Sequence, residues 1–379
     1  MEGSDLHVKS DTGKCYVRVH GDLVLIEELP HYSDEDFMKA MRELLSPAQI
    51  KRFEDEQELD FALEIPEVSR FRGNMFQQRG HVQAVFRVIP FDISTMEDLQ
   101  LPEACYDFIE KPRGLVLVTG PAGSGKSTTL AAMIDRINRS KQSHIVTVED
   151  PVEFIHDDHV ALINQRELDN DTLSFANALK YVLRQDPDVI LVGEMRDLET
   201  IHLAITAAET GHLVFATLHT VDSVQTVDRI VDVFPIHQQQ QIRMQLSVNL
   251  LGVVSQTLVK RKDGRGRAAA FEVMVATGAI SNLIRENKTY QIGSIIQTGV
   301  KQKMQTLDMS LAKLVDRGLV DAKTAMASAK DPGEFERLMK VGVDASAKGA
   351  KKAAEGDKPK PPPAAGVRGQ PNRPAVRRE

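Results

Sequence analysis

Two hydrophobic rhythms follow one another along the chain. Over residues 5–30 apolar and polar positions alternate, as in "SDLHVKS" and "CYVRVHGDLVLI", with turn signals at Asp11-Thr12-Gly13 and Gly21-Asp22. A period of two belongs to strands buried on one face only. Residues 33–56 switch to helical spacing, with Ser33 as N-cap and Phe37, Met41 and Leu44 on one face. Extended stretches return at 59–65 and 67–90, and "RFRGNMFQQRGHVQAVFRVIP" predicts a reversal at Arg79-Gly80. That register sets Arg72 directly opposite Arg87, an arrangement that costs stability unless an anion lies nearby. Residues 1–92 therefore predict a small α+β domain, followed by a linker at 93–112.

From Gly114 the rhythm changes. Continuous apolar runs at 115–119, 145–148, 188–192 and 213–217 alternate with helical segments at 127–139, 172–185, 198–209 and 222–233. Such alternation predicts a parallel sheet covered by helices on both faces. "LVKRKDGRGRAAAFEVM" adds a hairpin turning at Asp263-Gly264, and 279–340 reads as helix capping the core. The predicted fold class is α/β, with a core over 113–340 and a separate tail at 341–379. No apolar run is long enough to span a bilayer, and Met1–Asp5 has no signal-peptide pattern.

Charge sharpens the division. The formal net charge is −7, yet residues 341–379 hold nine Lys/Arg against four Asp/Glu, a net +5, which leaves −12 on residues 1–340. With six of the 17 prolines and few large apolar residues, the tail is expected to be disordered, either as a solvated linker or as an arm for anionic partners. The acidic body argues against a nucleic-acid groove. Two isolated cysteines, Cys15 and Cys105, fit neither a disulfide framework nor a zinc site.

The chemistry gathers where the apolar strands stop. "LVLVTGPAGSGKSTTL" sets Gly120, four residues, then Gly125-Lys126-Ser127 between a strand and a helix, the G-x-x-x-x-G-K-[ST] phosphate loop. Gly120, Pro121, Ala122, Gly123, Ser124 and Gly125 would offer backbone N–H groups to phosphate oxygens, with Lys126, Ser127 and Thr128 at the helix start. Lys126 would reach the β- and γ-phosphates of a bound nucleotide, and the Ser127 hydroxyl would ligate Mg²⁺. Three other strands end in ionisable groups: "HIVTVEDP" in Glu149 and Asp150, "DVILVGE" in Glu194, and "HLVFATLHT" in His219. Glu149 is the candidate acceptor for the attacking water's proton. Glu194 would act on the metal through bound water, and His219 is placed to sense the γ-phosphate. His212 starts the last strand at its far end, where a packing role weighs at least as much as a catalytic one. Arg72 and Arg87 are either solvated or aimed at a γ-phosphate held by a neighbouring domain or subunit.

The blocks "VTGPAGSGKSTTLAAMID", "VTVEDPVEFIH", "LRQDPDVILVGEMRDLETI" and "ETGHLVFATLHTVDSVQTVDRIVDVFP" resemble the secretion ATPase superfamily, over roughly residues 5–340. Within it the chain is similar to the retraction motors of type IV pili. "AISNLIREN" and "MQTLDMSL" match that branch, and residues 211–379 lack the cysteines of the zinc subdomain found in the assembly and type II secretion branches. Ser281 and Ala122 replace the usual Arg and Thr of their blocks. The resemblance implies a PAS-like N-terminal domain, a RecA-like ATPase core and a hexameric ring powering pilus retraction. It assigns the catalytic base to Glu149, metal and water ordering to Glu194, the His box to His212 and His219, and interdomain arginines to Arg72 and Arg87. It further implies a platform protein as partner at the cytoplasmic face of the inner membrane, reached by peripheral docking, with no nucleic acid. An accessory retraction paralogue, which such a motor can also have beside it, and a nucleotide-gated scaffold are the alternatives.

Overall fold

The computed structural model describes residues 3–19, 22–29, 32–65, 68–89 and 92–340; the expectation for the tail at 341–379 falls outside them. The first body holds β1 (Asp5–Lys9), β2 (Lys14–Val19), β3 (Asp22–Leu25), helices α1 (Asp34–Leu44) and α2 (Pro47–Glu56), then β4 (Glu58–Ile65), β5 (Ser69–Gln78) and β6 (His81–Ile89). The strands form one antiparallel sheet in the order β3-β2-β1-β6-β5-β4. Phe37, Met41, Leu45, Ile50 and Phe53 of the helices bury against Leu59, Phe61, Met75 and Phe86 of the sheet.

The single helix expected over 33–56 is two. Ser33 caps the first as expected, but Ser46 opens a second, with a reciprocal Gln49 bond and Pro47 at the first helical position. Proline cannot continue a helix from the preceding turn, so the break at Leu45-Ser46 follows from the sequence itself. The break buries Leu45 and leaves Leu44 exposed. The reversal between β5 and β6 falls where expected. Arg79 and Gly80 both have positive φ, 54° and 83°, which suits a tight hairpin, and Arg72 stands opposite Arg87.

The second body begins inside the stretch expected as a linker. Within 93–112 lies α3 (Glu103–Ile109), whose Cys105, Phe108 and Ile109 are buried with the core strands. There follow β7 (Gly114–Thr119), α4 (Lys126–Ser140), β8 (His144–Glu149), β9 (Leu162–Glu167), α5 (Phe175–Val182), β10 (Val189–Val192), α6 (Leu198–Glu209), β11 (Leu213–Leu218), α7 (Ser223–Asp232), α8 (Ile236–Asn249), β12 (Leu250–Lys260) and β13 (Arg267–Val275). The sheet order is β13-β12-β7-β11-β10-β8-β9, parallel except for the β12–β13 hairpin. Every residue of β7, β10 and β11 is buried, as continuous apolar runs require. Strand β9 has no counterpart in the sequence reading, because "LINQRE" is a polar edge strand rather than an apolar run.

Helices α9 (Gly278–Arg285), α10 (Ile292–Thr298), α11 (Leu307–Asp316) and α12 (Ala322–Ser328), with a last helix at 332–340, cap the hairpin side. Leu311, Leu314, Val320 and Phe335 pack on Val259 and Ala270. Lys330 ties this cap to the core through Asp222, the N-cap of α7, at 2.8 Å and Glu272 of β13 at 3.4 Å. No described helix is long and apolar enough to cross a membrane.

Helix α3 is fixed to the sheet by a close approach. A Cβ at Gly252 would lie 2.2 Å from the Phe108 ring and 2.6 Å from the Met274 carbonyl oxygen. Gly252→Ala is thus expected to destabilise the second body by about 1–3 kcal/mol in equilibrium urea unfolding, the usual cost of overpacking. An unchanged midpoint would show that α3 yields freely.

Candidate active site

The carboxyl ends of β7, β8, β10 and β11 meet at one edge of the sheet, where ligands of open parallel sheets bind. β7 runs into the glycine loop. Gly120 has φ 143°, and a Cβ there would sit 2.3 Å from the Gln256 carbonyl oxygen, so only glycine fits between loop and β12. Gly125, at φ 87°, is the N-cap of α4, whose first N–H groups have no intrahelical partner and face the loop. Thr129 donates to Gln256 at 2.7 Å and Thr119 pairs with Ser255 at 2.8 Å, which pins the loop's flanks to β12.

Lys126 curls over this loop. Its Nζ donates to the Gly120 oxygen at 2.9 Å and the Pro121 oxygen at 3.1 Å, and lies 3.4 Å from His219 Nδ1. Burial lowers its pKa, while the charges of Glu194 and Glu153 oppose that shift. His219 Nε2 sits 3.0 Å from Glu194 Oε1, so one imidazole touches both the loop lysine and the strand-end carboxylate. Glu194 Oε2 accepts from Arg196 at 2.7 Å. Burial would raise the Glu194 pKa, but the Arg196 hydrogen bond and the nearby His219 and Arg196 charges outweigh it and hold it below the ordinary carboxylate value. Glu194 is therefore ionised at neutral pH.

Glu149 is different. Its Oε1 accepts from Thr147 Oγ1 at 2.7 Å and Gln165 Nε2 at 3.3 Å. Desolvation pushes its pKa up to about 7, against the pull of those hydrogen bonds and with the charge of Glu153 adding to the rise. Two carboxylates at adjacent strand ends are thus driven apart in acidity, one ionised and one poised near neutrality, the condition for dividing their tasks. Glu153, which the sequence reading passed over, stands close enough for its charge to act on both Lys126 and Glu149. The signal was available in "VEDPVEF", but the turn at Asp150-Pro151 that brings Glu153 back is not readable from spacing.

His212 lies at the opposite end of β11, its Nδ1 2.9 Å from the Ala207 oxygen and 3.3 Å from Thr210 Oγ1. It is a hydrogen-bonded packing histidine in this chain and does not join the strand-end group. Arg72 and Arg87 are also placed apart from the loop. Arg87 donates to Asp5 at 2.8 Å, the anion that the facing arginines call for, and its side chain remains largely exposed. Arg72 forms no hydrogen bond or ion pair with the described residues and lines a cavity of about 310 Å³ shared with Asp150 and Glu167.

Beside the glycine loop, a larger cavity of about 550 Å³ opens between Gly125, Thr128, Leu258, Arg267 and the segment Asp98–Glu103. Its position next to the helix start suits a nucleoside continuing from phosphates on the loop. Ser127 and Glu194 offer the hard oxygen donors that Mg²⁺ takes, and the ionised state of Glu194 fits that role. Among the described residues no cluster of three His, Cys, Asp or Glu forms a metal site of its own, so Mg²⁺ here would draw further ligands from phosphate and water.

The profile of the type II/IV secretion system proteins matches residues 1–355. The chain belongs to that family. This family member is 52% identical over 332 residues to the type IV pilus retraction ATPase PilT of Pseudomonas aeruginosa, covering 88% of this chain and 96% of the relative. It is 37% identical over 345 residues to the type IV pilus ATPase PilU of the same organism, covering 91% and 90%. The fold superposes on the crystal structure of the pilus retraction motor PilT with bound ADP at a TM-score of 0.82 and 44% identity, covering 89% of this chain and 96% of that one. The α/β architecture expected from the sequence, a small α+β N-terminal domain and a core built on a parallel sheet, is the one found, and the N-terminal sheet is antiparallel.

The base expected at Glu149 would have to work ionised, and that carboxyl loses its proton only near neutrality. The kcat for ATP hydrolysis is therefore expected to fall as pH drops through about 7 and to level off above it. Glu149→Gln should give a low profile without that limb. An acid limb that survives in Glu149→Gln, and vanishes in Glu153→Gln, would move the role to Glu153.

Proposed function

We infer that this chain is an ATP-hydrolysing motor that powers type IV pilus retraction, and thereby twitching motility. The identity to PilT, sustained over nearly the whole of both chains, carries the reading. The strand-end cluster supports it, since Lys126, Ser127, Glu149 and Glu194 are all present and correctly ordered at one sheet edge. A non-hydrolysing scaffold would have no use for a carboxylate poised near neutrality beside an ionised one. Identity to PilU is lower over a similar span, which favours the principal motor over the accessory one.

In this reading the glycine loop and the first turn of α4 hold the β- and γ-phosphates, and the cavity beside them takes the nucleoside. Ser127 directly and Glu194 by way of water would hold Mg²⁺, which when bound would supply charge neutralisation at the transferred phosphoryl group. Glu149 takes the proton of the attacking water. His219, between Lys126 and Glu194, registers whether the γ-phosphate is present and passes this on to α7, the next element of the chain. Arg72 and Arg87 reach the γ-phosphate of an adjoining subunit in a hexameric ring, so that hydrolysis releases one domain from its neighbour. We place the domains at 1–92 and 113–340, with 93–112 leading into the second body, where it packs through Met96 and α3 and borders the nucleoside cavity. The partner is the pilus platform protein at the cytoplasmic face of the inner membrane, with a paralogous retraction ATPase as a second partner. Both are reached by surface docking.

Purified protein should release phosphate from ATP, and Glu149→Gln should lower kcat by about 10²–10⁴-fold, the range for loss of a general base. Deletion of the gene should leave cells with surplus surface pili and no twitching; bald cells would assign the protein to assembly instead. A mixing assay tests the arginines. Rings of Lys126→Ala alone and of Arg72→Ala/Arg87→Ala alone should each be inactive. Mixed rings should regain turnover, because an intact glycine loop then meets intact arginines from its neighbour. Mixtures as inactive as the parents would place the arginines in their own subunit's chemistry.

A further inference from the structure

Strand β9 adds a device that neither the motifs nor the family likeness describes. Its Gln165 and Glu167 are two residues apart and so share a face. Both reach onto the acidic loop that leaves β8. Gln165 Nε2 donates to Glu149 Oε1 at 3.3 Å and to the Phe154 oxygen at 2.8 Å, while its Oε1 accepts from the His156 N–H at 2.8 Å. Glu167, level with Glu149 in the parallel register, accepts the Val152 N–H on Oε2 at 3.1 Å. The same Oε2 accepts from Arg70 of β5 at 2.8 Å, and Asn170 holds the other oxygen.

One carboxylate oxygen thus serves two bodies at once. Arg70 comes from the N-terminal domain, and Val152 lies between Glu149 and Glu153 along the chain. The ion pair is well shielded, with the side chains of Arg70 and Glu167 only 16% and 7% exposed. A second link between the domains, Arg52 to Asp169 at 2.8 Å, is exposed and correspondingly weak. Withdrawing Arg70 would leave a buried anion without its cation, which forces Glu167 to turn or to take up water. The Val152 N–H would then lose its fixed acceptor. Arg72 sits two residues beyond Arg70 on the same face of β5, beside the cavity that also holds Asp150 and Glu167. Any swing of the domain that carries Arg72 elsewhere therefore pulls Arg70 from Glu167.

We propose that Glu167 is a positioning residue through which the seating of the chain's own N-terminal domain sets the acidic loop that runs from Glu149, at the end of β8, to Glu153. The inference rests on the ATPase reading above. It predicts an effect on turnover and not on nucleotide affinity, because the glycine loop and the nucleoside cavity are lined by other segments.

The test uses the full chain and steady-state ATP hydrolysis, with thermal melting to confirm that each variant folds. Glu167→Gln and Arg70→Ala should each lower kcat by about tenfold with KM changed less than about twofold, and the double variant should be no slower than the worse single one, as for two residues in one network. Arg70→Lys, which keeps a cation and a donor, should retain most of the wild-type kcat. Multiplying effects in the double variant, a shift confined to KM, or wild-type kcat in Glu167→Gln would overturn the proposal. If Glu167→Gln does not fold, the contrast between Arg70→Lys and Arg70→Ala decides, and equal kcat in those two counts against it. Wild-type protein without ATP turnover would remove the ATPase reading and this inference together. Normal turnover with an indifferent Glu167 removes the inference alone.

Discussion

A strand covered on both faces admits charge only where it stops. β7, β10 and β11 are buried throughout, and β8 becomes accessible only at its ends. In parallel neighbours those stops fall along one edge, so a lysine, two carboxylates and an imidazole meet there without any of them entering the core. Small details of the edge depend on this. Gly193 follows β10 with its Cα hydrogens against β8, where a Cβ would come within 3.1 Å of Glu149 Cα and the Val148 oxygen. Thr217 donates to the Gly193 oxygen, and the Met195 N–H bonds the Thr217 oxygen at 3.1 Å. Glu194 is thereby held by hydrogen bonds to the backbone on both sides before its side chain meets His219 and Arg196.

The arginines belong to a different logic. They stand on an open antiparallel sheet whose register places like charges face to face, and Asp5 from the adjoining strand satisfies only one of them. The strand-end carboxylates sit on a deeply packed scaffold, whereas the cationic pair sits on a separate body tied to that scaffold, among the described residues, by two ion pairs. Under the proposed function the site is divided between these two bodies, so that moving one of them would assemble it or take it apart, which is the requirement for turning bond cleavage into displacement.

Much of this was legible in the residues. The glycine loop follows from spacing between a strand and a helix. The Arg72–Arg87 pairing could be read because a two-residue turn at Arg79-Gly80 fixes the register of everything around it. The apolar runs gave the parallel strands because full burial leaves no alternation to misread. What was lost has physical reasons too. β9 is an edge strand whose working side chains are polar, so it carries neither signature of a strand. Helix α3 is short and lies in a segment whose flanks read as loop. Glu153 reaches the site through a tight turn, and Glu167 through pairing between distant segments; neither is encoded in local periodicity. The helix break at Ser46-Pro47 was written in the sequence, as a cap residue followed by proline, and was outweighed by the apolar spacing across it.

The anchoring of α3 has a consequence for scale. Ile89 is buried in the first body and Met96 in the second, so the chain has only residues 90–95 in which to pass between them. Fully extended, such a span reaches about 25 Å. In the proposed ring, a domain on so short a leash would serve its own core or the adjoining one, and no subunit farther round. Communication around such an assembly would then travel hand to hand, each member reporting only to the next.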